Sequence, residues 1–286
     1  MKRSHVWLCA WIGILGMGWI PASGQEATYN GRRLITASLI AVPPAIDGTA
    51  SPAEWSAATP VHVEFNQPDV PPGTIPALIA DRGHPPPDSE DDLSFDFQAL
   101  YDDLYLYVAV VVRDDAIFDD SSDNRWQDDF AELGFDGDRR ANDIELSGET
   151  FLLACDVGGD RSGWHADEHD WIAAVGRQAT GYTVEFRISL NMIDTVDGDG
   201  EKPPEPGDHI GFNAAVNDDD DGEEGYRNLL AGKSPPMVDS YGIWSATNRT
   251  HTDEWGYLYF DPTPAETAVG ETTWGSVKQV RVGPSK

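Results

Sequence analysis

The sequence predicts an all-β fold, an antiparallel two-sheet β-sandwich with long acidic and proline-rich loops. Three observations predict it. Short apolar stretches alternate with period two, most cleanly in Gly181–Ile188 (GYTVEFRI) and His209–Asn217 (HIGFNAAVN). Turn residues recur at close intervals between those stretches. Sustained helical periodicity is almost absent, which leaves sheet-on-sheet packing as the way to bury the apolar faces. There is no internal repeat.

Length and composition bound the answer further. The chain has 286 residues. Residues 1–24 read as a secretory signal peptide. Lys2 and Arg3 supply the positive start, and Val6–Ile20 is an apolar run too short to span a bilayer comfortably. Ala22-Ser23-Gly24 is a small-residue cleavage site. The expected location is therefore secreted, periplasmic or cell-surface. Cleavage would remove two of the 19 basic residues and none of the 50 acidic ones, leaving a net charge near −33. Such a charge argues against nucleic acid or anionic membrane as a partner. Only Cys155 would remain of two cysteines, so no intramolecular disulfide is expected and the fold must rest on its core. About 260 residues suffice for a sizeable one.

Taken in order, residues 25–34 read as a polar N-terminal arm. Ile35–Ile40 alternates weakly, as an edge strand would. Asp47-Gly48 is a turn signal, and Ser51 is placed to cap one helical turn through Glu54, with Trp55 turned into the core. Val61–Phe65 is a short strand. Residues 66–92 hold seven prolines and several acids and read as one long loop. Phe95–Leu100 alternates, and Tyr101-Asp102-Asp103 turns the chain. Leu104–Val112 (LYLYVAVVV) is apolar on both faces, which predicts a central strand covered on both sides.

The stretch Asn124–Asp136 (NRWQDDFAELGFD) concentrates the chemistry. Ala131, Leu133 and Phe135 share one face of a strand, and Phe130, Glu132 and Gly134 share the other. An acid beside an aromatic suits a ligand-binding sheet face, and it equally suits a plain solvated one. Phe151–Cys155 is the next strand, and Gly158–Asp170 reads as a polar loop with Trp164, His165 and His169. Trp171–Val175 and Gly181–Ile188 follow, with Glu185 on the outward face. Leu190–Ile193 suits one helical turn. Ile210, Phe212, Ala214 and Val216 share the inward face of His209–Asn217. Ile243-Trp244 and Trp255–Phe260 close the domain, spanning residues 35–260, and residues 261–286 read as a tail.

The order of these signals is similar to a known family. Ile46-Asp47-Gly48 with Glu54-Trp55 comes first, then Tyr101–Val108 with Asp114-Asp115, then Trp126–Asp136. Gly181–Ile188, Ile210–Asp218 and Trp255–Leu258 follow. Together they resemble a carbohydrate-binding module of family 9, within a wider group of sandwich domains that bind sugars or haem. The resemblance implies a calcium-bearing sandwich that grips the reducing end of a sugar between two tryptophans, with acids and amides on the hydroxyls. The physics is general, since pyranose C–H faces pack on aromatic planes and hydroxyls take charged or amide partners. Trp126 falls on the first tryptophan, as stacking platform, and Glu132 on the acid that follows it, as hydroxyl acceptor. The second tryptophan belongs in Thr247–Glu254, which holds no aromatic. Trp244 and His251 are the nearest candidates for ligand contact, with Trp164 and Trp171 further away, and Trp244 suits the core as well. The family's amide position corresponds to Ala215, and its arginine has no match in Phe151–Cys155.

Calcium is the second implied feature. It takes six to eight oxygen ligands, which Asp-rich loops supply. The candidates are Asp114, Asp128, Asp129, Asp218 and Asp220, with Asp115, Asp221 and the segment Asp197-Gly198-Asp199 beside them; no EF-hand closing Glu is present. The expected partner is a poly- or oligosaccharide, plant-type glycans such as xylan or cellulose among them. The expected action is binding without turnover, in the setting of carbohydrate catabolism. Three alternatives stay open. One is a structural or cell-surface domain that kept the fold and lost the sugar site. Another is a haem-binding domain using Met192 or Met237 as an axial ligand. The third is a protein associated with glycoside hydrolases whose hydrolase character comes only by that association. No G-x-S-x-G occurs, and acid pairs among fifty acids arise by chance.

Overall fold

The computed structural model describes residues 27–63, 77–80, 87, 89–120, 128–139, 150–196, 201–220, 240–244 and 252–265, with 77–80 and 240–243 described in backbone only. The expected signal peptide, most of the 66–92 loop and most of the tail lie outside the described residues. So do Trp126, His251, Met237, Asp221 and the Asp197–Asp199 segment.

Strand pairing sets the layers. On one side lie β10 (Trp171–Gln178), β11 (Gly181–Ser189), β6 (Tyr105–Asp114) and β5 (Leu93–Tyr101), with β3 (Val61–Val63) also on β5. On the other side lie β14 (Gly256–Pro264), β12 (His209–Asp218), β7 (Phe130–Asp136), β8 (Thr150–Asp156) and β9 (Arg161–Trp164). A short pair, β13 (Ser240–Ile243) and β4 (Ala77–Ala80), extends from the C-terminal half of β12. β2 (Arg32–Leu39) joins the halves, with β1 (Thr28–Tyr29) on it.

The path folds over on itself to make the sandwich. Phe97 of β5 meets Phe212 of β12 at 6.1 Å between ring centroids and the edge of Trp244 at 5.1 Å. One continuous core holds the inward rows of both halves, including Phe135, Phe186, Val184 and Leu133. The far ends of the path also meet. Arg161 of β9 lies over the Trp171 ring of β10 at 5.0 Å, and Arg177 of β10 donates to the Val157 carbonyl oxygen at 3.0 Å. Cys155 is buried in β8.

In four places the structure departs from the sequence pattern. β4 lies inside the expected 66–92 loop, and β1 with the start of β2 lies inside the expected 25–34 arm, because neither short segment carries enough apolar period to read. The stretch expected as an edge strand is the seam of the sandwich: β2 pairs in parallel with β14 through Tyr257↔Leu34 and with β5 through Ala37↔Ala99. Its inward row is Arg33, Ile35 and Ala37. Arg33 hides the pattern, because it is polar in sequence yet 1% exposed, its guanidinium bonded to the Trp244 carbonyl oxygen. The Gly158–Asp170 loop contains a strand, β9, whose RSGW sequence alternates too briefly to be recognised.

The central strand β6 is covered on both sides, as its composition requires. Its inner face joins the main core, and its outer Tyr107 and Ala109 pack under Trp55. The Ser51 turn forms, with Trp55 N–H donating to the Ser51 carbonyl oxygen at 3.1 Å. The helical turn expected at Leu190–Ile193 is a 3₁₀ turn over Leu190–Met192. Among the described residues no helix is long and apolar enough to cross a membrane.

Candidate functional site

Two regions bring together side chains that the sandwich does not need for packing. The first is the outer face of β12, β7 and β8. The register sets Glu132 of β7 opposite Ala215 of β12 and Ala154 of β8. Directly opposed residues of antiparallel strands share a face, and residues two along the partner strand are within reach of long side chains. Asn213 and Asn217 therefore flank Ala215 on the face that carries Glu132. Glu132, Asn213 and Asn217 are each 2% exposed, and the Ala215 and Ala154 positions beside Glu132 are small. Gly134 shares this face. The Trp255 indole lies so close over it that a β-carbon there would stand 2.5 Å from the ring. The buried Trp255 Nε1–H has no hydrogen-bond partner among the described residues. An acid and two amides thus share one buried face with small residues, and the Trp255 ring lies over Gly134 of that face.

Asn213, Asn217 and Trp255 are the residues that sequence reasoning missed in this role. The signal is present for two of them: alternation in HIGFNAAVN puts both asparagines opposite the apolar row. The pattern marks Trp255 only as the start of a strand. Asn213 and Asn217 flank Ala215, the expected amide position, on the same face.

Of the two places open to Trp244, near a ligand or in the core, the structure puts it in the core. It is 0% exposed and packs against Phe97 and Phe212 in the main core, so it offers no surface to a sugar. Gly256 makes room for it, since a β-carbon there would stand 2.5 Å from the Trp244 ring. Trp171 is likewise a core residue at 2%. Met192 packs partly buried against the core, as expected of a packing residue. His169 is exposed beside Asp167, and no histidine joins a cluster able to hold a metal among the described residues.

The second region is acidic, at the end of the sandwich where β6 and β12 finish and β7 begins. Asp114, Asp129 and Asp218 each bring a carboxylate oxygen within 4.8 Å of the others, and all three are buried. Two further groups adjoin this one in sequence: Asp120, Asp128 and Asp219, and the more exposed Asp92, Asp115 and Asp220. All five acids expected as metal ligands fall within these three groups. The loop folds by bonding backbone N–H groups to the same carboxylates. Ala116 N–H donates to Asp114 Oδ1 at 2.8 Å, Phe118 N–H to Asp129 Oδ2 at 2.6 Å, and Asp219 N–H to Asp129 Oδ1 at 3.0 Å.

Asp114 Oδ2 is buried and has no hydrogen-bond partner among the described residues. Burial, and then the charges of Asp220, Asp115 and Asp92 against the Ala116 bond, push the Asp114 carboxyl up to about 7. Burial, followed by the charge of Asp114, raises Asp129 well above the usual carboxylate range. The Tyr182 hydroxyl is buried nearby; burial raises its pKa first, and the charges of Asp129, Asp114 and Asp218 add to this. Hard oxygen donors, mutual repulsion and an orphaned carboxylate oxygen fit a hard divalent cation.

Comparison with known proteins agrees with this architecture. The family model described as "Carbohydrate family 9 binding domain-like" matches residues 79–248. Among solved structures, the chain is similar to a family 9 carbohydrate-binding module from Caldicellulosiruptor kristjanssonii in complex with cellotriose. The TM-score is 0.55 at 17% identity, covering 83% of this chain and 97% of that one. A family 9 module from the same organism in complex with glucose gives a TM-score of 0.53 at 16% identity, covering 79% and 95%. No curated protein sequence matches.

Proposed function

This chain belongs to the carbohydrate family 9 binding domain-like family, and from that premise we propose that it is an exported, non-catalytic module that binds an oligo- or polysaccharide on the outer face of β12, β7 and β8. One observation carries the reading: Glu132, Asn213 and Asn217 share that face with the small Ala154 and Ala215, and the Trp255 ring lies over Gly134 of the same face. In this reading Glu132 accepts from sugar hydroxyls and the asparagines read their orientation. Trp126, six residues before Glu132 in the sequence, supplies the stacking platform. The solved relatives with cellotriose and glucose support a glucan as ligand; xylan and cellulose are the polymers to try.

A calcium ion held by Asp114, Asp129 and Asp218, with the flanking acids around it, is part of the same proposal. When bound it neutralises the buried carboxylates and ties the ends of β6 and β12 to the start of β7. The chain's own residues do the rest: Asp129 anchors the loop at Phe118 and holds the β12 end through Asp219.

The test is calorimetric titration of the chain with soluble xylan, cellulose oligomers and simple disaccharides, in calcium and again in EDTA. Saturable binding that Trp126→Ala or Glu132→Gln removes is the expected result. The core position of Trp244 favours one other reading, a structural domain of the same fold that has lost sugar binding. A folded chain that binds no glycan would establish that reading instead.

A further inference from the structure

The registers of β7, β8 and β9 place one more aromatic residue on the outer face. Trp164 stands opposite Leu152, and Leu152 stands opposite Gly134. Opposed residues share a face, so Trp164 lies on the face of Glu132, two strands further out. At ~4.8 Å between strands, that is roughly 10 Å from β7. Ser162, opposite Ala154, continues the row of Glu132 to the same edge. Leu152 and Ala154 lie between, both small in exposure at 6% and 3%.

Trp164 is half-buried, at the end of an edge strand. His165 follows it with φ 56°, in the left-handed region. That turn lays the imidazole on the indole, with centroids 3.4 Å apart and planes 14° from parallel. One indole face is backed and the ring is held in place. No packing need of the core explains this pair, because the core side of β9 is met by Arg161 over Trp171.

We propose that Trp164, backed by His165, is an outer subsite for a further sugar unit of the glycan whose first unit lies at Glu132. The proposal rests on the carbohydrate-binding reading above. The apolar C–H face of a pyranose packs on the indole, as apolar groups do on aromatic planes. Ser162 offers a hydroxyl beside it. A single sugar at Glu132 does not reach across two strands, so Trp164 acts only on longer chains and sets a preference for them.

The experiment is calorimetric titration of the whole chain with glucose, cellobiose and cellotriose, and with the matching xylose series. The wild-type chain should bind longer oligomers more tightly than the monosaccharide. Trp164→Ala should weaken the trisaccharide on the order of tenfold, about 1.4 kcal/mol, with little effect on the monosaccharide. Trp164→Phe should keep most of the gain. His165→Ala, which leaves the strand residue in place, should give a smaller loss of the same kind, and serves if Trp164→Ala does not fold by circular dichroism. Equal weakening of monosaccharide and trisaccharide, or no change in either, overturns the subsite while leaving the sugar-binding reading intact. A wild-type chain that binds none of these sugars overturns that reading itself, and the subsite with it.

Discussion

Two buried acidic regions in this sandwich solve the same problem differently. Glu185 of β11 is 0% exposed, and the protein itself supplies its donors. Gly48 N–H donates to Oε2 at 2.7 Å and Asp47 N–H at 2.9 Å, while Ala50 N–H donates to Oε1 at 3.1 Å and Trp55 Nε1–H at 2.8 Å. One carboxylate thereby pins the Asp47–Ala50 turn and Trp55 over the central strand. Asp114, Asp129 and Asp218 are three carboxylates within reach of one another, and Asp114 keeps an oxygen with no partner among the described residues. The difference teaches how to separate a structural buried acid from a cation site. A lone carboxylate ringed by N–H groups is complete. Several that repel one another hold protons, or, in the calcium reading proposed above, share a cation.

The largest expected effect tests the first half of that contrast. Glu185→Ala leaves the turn N–H groups and the Trp55 indole without their acceptor. At about 1–3 kcal/mol for each buried unsatisfied donor, several together should cost about 3–5 kcal/mol. Urea unfolding should show the same loss in calcium and in EDTA. A loss that depends on calcium would break the contrast. Next comes calcium removal from the wild-type chain. With calcium at a hundred times its Kd, stripping it should cost about 2.7 kcal/mol and lower Tm by roughly 5–10 °C. An unchanged melting curve would sink the cation reading.

A smaller effect, with opposite signs in the two conditions, should come from Asp114→Asn. The variant should lose the calcium response, and in EDTA it should be more stable than wild type by about 1 kcal/mol, because a buried charge is gone. The pH dependence follows from the same carboxyl. Its pKa is about 7 folded, against 3.8 as the ordinary value. A raised acid contributes stability that is fully present below the unfolded value and lost as pH rises through the folded one. Metal-free wild type should therefore lose stability between about pH 4 and 7, and Asp114→Asn should flatten that loss. Calcium should act oppositely, stabilising more at about pH 8 than at about pH 5, because its ligands must be deprotonated.

Much of the fold is legible in the sequence. The period-two rows of β11 and β12 and the two-sided apolar run of β6 are local properties of the chain, and each forms the strand it predicts. The place of β2 is not legible, because Arg33 breaks its apolar row; its bond to the Trp244 carbonyl oxygen and its place over the Trp244 ring help to make a buried arginine sensible there. β9 escapes notice because four residues carry too little period to read. The acids of the proposed cation region are legible as Asp-rich loops, but their grouping is not: Asp114, Asp129 and Asp218 come from separate parts of the chain. Glu185 lies on the outward face that alternation assigns it, and it is buried there by the turn above it.

The sequence by itself determined the fold class, most of the strand inventory and the acidic character, because hydrophobic period and turn chemistry act over a few residues. Only the tertiary structure decided which polar residues share a face. Register places Asn213 and Asn217 on either side of Glu132, packing sends Trp244 into the core, and the pairing of β9 brings Trp164 to the rim of the same surface. These are consequences of non-local strand pairing, in which a shift of one residue moves every side chain to the opposite face.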